Sequence, residues 1–386
     1  MLEAAIDIGT NTALILIADV SPPDKGGGTR KLGRVLEDHI RFVRLGQGVH
    51  QNRKFAPEAM ERAVKCFREF KELCDRHSVP KIRACATSAS RDAANSGELY
   101  DRVRKETGID VKIIEGETEA RLTFLGGLLP FQDPSKTAIM DIGGGSTEFV
   151  VLGNDGQVQG QSLDMGCVRA TEMFLKGDPY ELKTLEAMES HLRQVWAQLD
   201  PALQKELRDK EWAGVAGTPT TLAGIAQGHV QFHADQLDGY RMDRCAVGDM
   251  YEALAIESQA KRASNPLMGT GRADVIVAGA AILLTAMEFF DKDEIVVSSR
   301  GLRHGILLEP PAGRLSGRHS LPKVDWMRSS RSSQSTFSAS ILFTMIRRSR
   351  PRFCAQVMNR PVIISTPFCA LITIAAVSTA ARAGSA

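Results

Sequence analysis

AIMDIGGGSTEFVVL, residues 138–152, and AAIDIGTNTALILIADV, residues 4–20, share one plan. In each, a short apolar run closes on Asp-Ile-Gly, small or hydroxyl residues follow, and a second apolar run begins. Two β-rich runs around a polar Gly turn predict a hairpin, and two copies about 134 residues apart predict a duplicated domain. Outward from the hairpins, residues 58–77 set Met60, Val64, Phe67, Phe70 and Cys74 at three- and four-residue steps. Residues 183–199 do the same with Leu185, Met188, Leu192, Val195, Trp196 and Leu199. Both are amphipathic helices by this spacing. Strand-like runs at 81–86, 111–114, 213–216 and 294–298 each lead through a polar or Gly-containing turn into a helical pattern. That alternation predicts an α/β fold, in which ligands collect where strand ends meet loops and helix N-termini.

The 386 residues, 43% hydrophobic and 24% charged, describe a folded globular chain of two or three domains rather than a disordered or disulfide-built one. The net charge of +2 conceals an asymmetry. From Ala312 onward there are eleven Lys or Arg and one acid, Asp325, leaving 37 bases against 45 acids in residues 1–311. An acidic body argues against nucleic-acid binding, so an anionic ligand needs a local site. Seven cysteines without CxxC or Cys/His metal spacing read as reduced thiols, and the N-terminus lacks the pattern of a signal peptide; a cytoplasmic location is expected. Residues 361–381 are uncharged and long enough for a membrane span, but two prolines and several hydroxyl residues argue against an anchor. The tail 312–386 reads as an unstructured appendage or as translation past an altered frame.

The chemistry concentrates in the turns. Gly143, Gly144 and Gly145 allow the backbone to approach a ligand closely, so that successive N–H groups share one concavity suited to phosphate, with Ser146 adding a hydroxyl. Asp141 and Glu148 would repel that phosphate unless a hard cation such as Mg²⁺ lay between, which makes them candidate metal ligands. A hairpin that merely turns is the simpler reading of one such loop, and the sister loop Asp7–Thr12 weakens it. At Ala216–Leu222, Thr218 is expected as a helix N-cap with Pro219 in the first turn, offering the N–H groups of Gly217 and Thr218 as a third phosphate contact. His229 and His233 are spaced to share a helix face but lack a third zinc ligand. Asp235 and Asp238 are expected to be solvated, and Lys25–Gly28 reads as a flexible loop.

Taken together, DIGTNT (7–12), ATSASRDAAN (86–95), IEGETEARL (114–122), DIGGGSTE (141–148), AGTPTTL (216–222), RADVIVAGAAIL (272–283) and SSRGLRHGIL (298–307) resemble the exopolyphosphatase and guanosine pentaphosphate phosphatase family, over residues 3–309. The resemblance implies a duplicated actin-like ATPase (ribonuclease H-like) fold, two lobes with a cleft between them. The lobes are expected at 1–125 and 126–311, with the chain crossing near 120–135 and returning through a last helix near 302–309. It implies Mg²⁺-dependent hydrolysis of the terminal phosphate of polyphosphate or of guanosine pentaphosphate, with Glu119 activating water, Arg91 contacting phosphate oxygens, and Thr10, Asn11, Thr12 and Gly143–Ser146 binding phosphate. A homodimer is a family-level expectation. Thr118 and His304 stand where glutamate is frequent in relatives, with Glu117 a partial substitute for the first. The tail lacks the helical pattern and His-Asp pair of the HD-type domain carried by longer relatives. Beside the hydrolase, an ATP-dependent small-molecule kinase of the same fold and a non-catalytic polyphosphate or nucleotide sensor remain as alternatives. The first requires a separate acceptor base, for which no Asp motif is visible; the second predicts binding without phosphate release.

Overall fold

The computed structural model describes residues 1–22, 30–153 and 156–309; the Lys25–Gly28 loop and the tail with its uncharged stretch lie outside them. The first half of the chain runs through β1 (Leu2–Ile8), β2 (Thr12–Val20), β3 (Leu32–Phe42), α1 (Val49–Asn52), α2 (Pro57–Arg76), β4 (Ile82–Ala86), α3 (Ser88–Asp92), α4 (Ser96–Thr107), β5 (Val111–Ile113) and α5 (Gly116–Gly127). The second begins with β6 (Thr137–Ile142), β7 (Thr147–Leu152), β8 (Val158–Leu163), α6 (Cys167–Phe174), α7 (Leu182–Trp196), α8 (Pro201–Asp209), β9 (Glu211–Val215) and α9 (Gly217–Ala226). It continues with α10 (Ala234–Leu237), β10 (Arg241–Asp243), α11 (Arg244–Ile256), α12 (Gln259–Ala263), α13 (Gly269–Arg272), α14 (Ile276–Phe289), β11 (Glu294–Val297) and α15 (Leu302–Leu308).

The duplication read from the two hairpins extends to both sheets. The first has the order β3-β2-β1-β4-β5 and the second β8-β7-β6-β9-β11, with β10 added at its edge. In each, the hairpin and third strand are antiparallel and the next two strands parallel. This is the expected actin-like arrangement. The expected helices at 58–77 and 183–199 are α2 and α7, and their apolar stripes are buried. The third strands β3 and β8 escape a sequence reading because nearly all of their residues are exposed or half-exposed, which leaves no buried face to mark them. None of the described cysteines forms a disulfide.

Strand alternation determines which side chains can reach a ligand. Ala4, Ile6 and Ile8 pack under α2 with Val64, Phe67 and Phe70, whereas Ala5 faces the other way, onto Leu302, Ile306 and Leu307 of α15. Asp7 shares the face of Ala5. In the second sheet Ala138, Met140 and Phe149 enter the core around α7 and α14, while Ile139 and Val150 meet Ala120 and Phe124 of α5. Phe149 is locked among Trp196, Trp212 and Phe290 at ring separations of 5.7, 5.5 and 5.6 Å. A one-residue slip of β7 would eject that ring, so its neighbour Glu148 is committed to the α5 face, with Asp141.

Helices α5 and α15 cross between the sheets, as expected of the returning chain. A Cβ at Gly126 would collide with the backbone of Gly301 and Gly305, and one at Gly305 with the carbonyl of Leu122. The crossing is therefore backbone on backbone, a separation open only to glycine. It places the first turn of α5 over the ends of β6 and β7.

Candidate active site

The two turns face each other and touch. Each closes with the same bond: Gly9 N–H to Thr12 O at 2.8 Å, and Gly143 N–H to Ser146 O at 3.0 Å. A Cβ on Gly144 would lie 2.8 Å from Thr10 Cβ, and one on Gly145 would lie 2.5 Å from Ser88 Oγ and 2.9 Å from Thr10 Oγ1. The turn carbonyls point outward into other bonds. Thr10 O and Asn11 O accept from Gly46 and Arg44, while Gly143 O and Gly144 O accept from Cys167, Val168 and Arg169 at the start of α6. The N–H groups of Thr10, Asn11, Gly144 and Gly145 have no acceptor among the described residues. Unpaired donors on two opposed turns suit an anion.

Beside the turns lie four carboxylates. Asp141 and Glu148 are direct cross-strand partners in the β6–β7 hairpin, and like charges in that position repel. Burial first, then Glu148 and Asp7, hold the Asp141 carboxyl well above the usual carboxylate range. Thr123 Oγ1, from α5, donates to Asp141 Oδ2 at 3.4 Å. Glu148 is raised by burial, against bonds from Ser162, at 2.6 Å, and Ser146. Asp7 is pushed up to about 7 by burial, with Arg303 opposing. Sequence reading did not single out Asp7, although its position matches Asp141 in the sister hairpin; that equivalence was the available signal.

Glu119 is buried at the start of α5 and accepts from Arg91 Nη1 at 2.7 Å; the same nitrogen donates to Ile114 O at 2.8 Å. The helix dipole predicts an ionised Glu119. In this closed structure burial and Glu148 outweigh Arg91 and raise the carboxyl well above its ordinary value. Arg91 contacts the carboxylate through one nitrogen, and its Nε and Nη2 have no acceptor among the described residues. The expected roles of Arg91 and Glu119 thus fall on an adjacent, mutually bonded pair.

Several expectations need correction. Thr218 does not cap α9. Ala216 occupies the N-cap position with φ of 68°, and Thr218 is buried against Gly279 of α14. The α9 N-terminus is covered by Arg272, which donates to Gly217 O and, at 2.5 Å, to Thr221 Oγ1. Arg272 bonds the Gly217 carbonyl, while the N–H groups of Gly217 and Thr218 have no acceptor among the described residues. Asn11 donates through its side chain to Gly271 O at 3.1 Å across the gap. Glu117 is exposed and does not stand in for a second cleft glutamate. His304 is buried and held neutral by burial and by Arg303 and Arg300. His229 and His233 share no helix. Asp238 is not merely solvated; it accepts Ser299 N–H at 2.6 Å.

Among the described residues no group of three or more His, Cys, Asp or Glu side chains converges as a metal cage. The Asp141–Glu148 pair still fits Mg²⁺, which is commonly held by one or two carboxylates together with water and substrate phosphate. Two buried like charges made costly by their own proximity are the donor set that a hard cation relieves.

Comparison with known proteins agrees with this geometry. The profile of the Ppx/GppA phosphatase family matches residues 28–310. Exopolyphosphatase 2 of Mycobacterium tuberculosis is 35% identical over 320 residues, covering 79% of this chain and 97% of that protein. The crystal structure of an exopolyphosphatase from Cytophaga hutchinsonii superposes with a TM-score of 0.69 at 28% identity, covering 80% of this chain and 96% of the other. The Aquifex aeolicus PPX-GPPA enzyme gives 0.65 at 29% identity, covering 80% and 99%. With its paired hairpins, opposed Gly-rich turns and buried acids, the chain belongs to the Ppx/GppA phosphatase family.

Proposed function

We propose that this chain releases the terminal phosphate of inorganic polyphosphate by Mg²⁺-assisted attack of water oriented by Glu119. The observation that carries this reading is the presence, on two turns in contact, of N–H groups without an acceptor among the described residues, with Glu119 and the Asp141–Glu148 pair beside them. The donors hold an anionic chain end, and the carboxylates supply a proton acceptor and metal ligands. The 5′-terminal phosphate of guanosine pentaphosphate presents the same anhydride end and is the second substrate to test.

Phosphoryl transfer asks chiefly for in-line positioning and charge neutralisation. The N–H groups of Thr10, Asn11, Gly144 and Gly145 would grip the terminal phosphate, with Thr12 and the Ser146 hydroxyl at their edges. Glu119 would take a proton from water as its oxygen bonds to the terminal phosphorus. The bridging P–O bond breaks, and its electron pair leaves on the shortened chain. A carboxylate whose pKa is raised is a stronger base than a free one, which suits that task. Arg91 holds Glu119 in place and has donors left for phosphate oxygens. Mg²⁺ on Asp141 and Glu148 would neutralise charge developing on the phosphate oxygens.

Phosphate release by purified wild type and Glu119→Gln, from long polyphosphate, short polyphosphate and guanosine pentaphosphate with and without Mg²⁺, tests the reading. Loss of a general base costs about 10²- to 10⁴-fold in turnover with substrate binding retained. Unchanged turnover removes Glu119 from the mechanism.

A further inference from the structure

The two turns touch, with a Cβ on Gly144 falling 2.8 Å from Thr10 Cβ and one on Gly145 2.9 Å from Thr10 Oγ1, so a phosphate gripped by both turns needs them further apart. Beside that contact a pocket of about 10 Å³, room for about one water, is bordered by Thr10, Ser88, Asp92, Gly145, Arg169 and Glu172. One face of α6 spans this rim. Arg169 donates from Nε to Gly145 O of its own lobe at 2.9 Å, from Nη2 to Asp92 at 2.6 Å, and from Nη1 to His50 Nδ1 at 3.3 Å. One helical turn on, Glu172 Oε1 accepts Gly48 N–H at 2.8 Å. Arg169 and Glu172 thus bring opposite charges to the same rim, each with a complementary partner on the other lobe.

We propose that Arg169 and Glu172 form a clasp with Asp92 and Gly48 that holds the resting enzyme shut, and that an anionic substrate must break it to enter. The clasp is an autoinhibitory contact. Its Arg169 arm is also tied to the carbonyl of Gly145 in the same lobe, so the guanidinium stays beside the turn that would receive the phosphate when the clasp parts. The same guanidinium then presents its donors to the incoming chain in place of Asp92. The clasp itself is read from packing alone; its effect on turnover rests on the hydrolase reading.

The test uses the full chain. Small-angle X-ray scattering without substrate compares wild type with Asp92→Asn/Glu172→Gln and with the charge-retaining Asp92→Glu, and polyphosphate hydrolysis is measured on the same samples at low salt. The double variant should shift the open-to-closed ratio about threefold to tenfold toward open. Its radius of gyration should rise and its KM for polyphosphate should fall by a similar factor, with kcat changed less than twofold. Asp92→Glu should resemble wild type, which separates loss of the clasp from general damage to the fold. A radius of gyration identical in wild type and double variant overturns the clasp, as does a KM that stays constant or rises. Absence of hydrolysis in every sample would instead overturn the function while leaving the scattering result to judge the clasp.

Discussion

Replacing Asp7 with Asn should stabilise the protein at neutral and alkaline pH and make little difference in acid. Asp7 lies on the strand face that meets α15, where burial moves its carboxyl from the ordinary 3.8 to about 7. Between those values the folded chain retains a proton that the unfolded chain has released. The contribution of Asp7 to stability is therefore greatest below about pH 4 and is lost as pH rises through about 7. At about 1.4 kcal/mol per pH unit the ceiling is about 4 kcal/mol. Because Asp7 keeps partial solvent contact, about 1–2 kcal/mol is the reasonable gain on removing its charge at pH 8. Arg303 is not orphaned by the change, since it donates to both oxygens of Asp38 at 2.9 Å. For a body of this size the gain corresponds to about 1.5–3 °C in Tm. Circular-dichroism melts of both proteins from pH 4.5 to pH 8, without divalent cations, measure it. A Tm difference independent of pH, or a wild type more stable than Asp7→Asn at pH 8, refutes the argument that a buried charge is the cause. A gain at the expense of function is the expected pattern where acids are held unfavourably for a ligand.

Gly305→Ala should cost about 1–3 kcal/mol in urea unfolding, or prevent folding, because its Cβ would collide with Leu122 O of α5. Gly97→Ala, in a helix with open space around it, should gain about 0.5–1 kcal/mol, and equal effects at the two sites would contradict the crossing geometry. Mg²⁺ should raise the wild-type Tm at pH 8, and Asp141→Asn/Glu148→Gln should abolish that rise; a rise retained in the double variant would place the cation elsewhere. At low pH the Asp141–Glu148 repulsion is removed by protonation, so the double variant should gain stability over wild type as pH increases, read from the same melts.

Most of the architecture was legible because it is written in local pattern. Met60, Val64, Phe67, Phe70 and Cys74 mark a helix face by spacing alone, and the Asp-Ile-Gly repeats mark two hairpins before any contact is known. The half-exposed strands β3 and β8 carry no such pattern, and the α9 cap was misread because Thr-Pro is a good helix start wherever it stands. Packing against Gly279 took the Thr218 side chain for the core instead.

Residue order by itself determined the duplicated α/β plan, the two Gly-rich turns and the acids flanking them, since turns and strand faces follow from neighbours a few positions apart. Only the folded arrangement decided that Arg91 bonds Glu119, that Asp7 joins Asp141 and Glu148, and that Arg169 reaches Asp92 beside two turns in contact. Those residues lie tens to more than a hundred positions apart. Their proximity and protonation depend on how two helices cross and how completely two lobes exclude water, quantities that no local periodicity encodes.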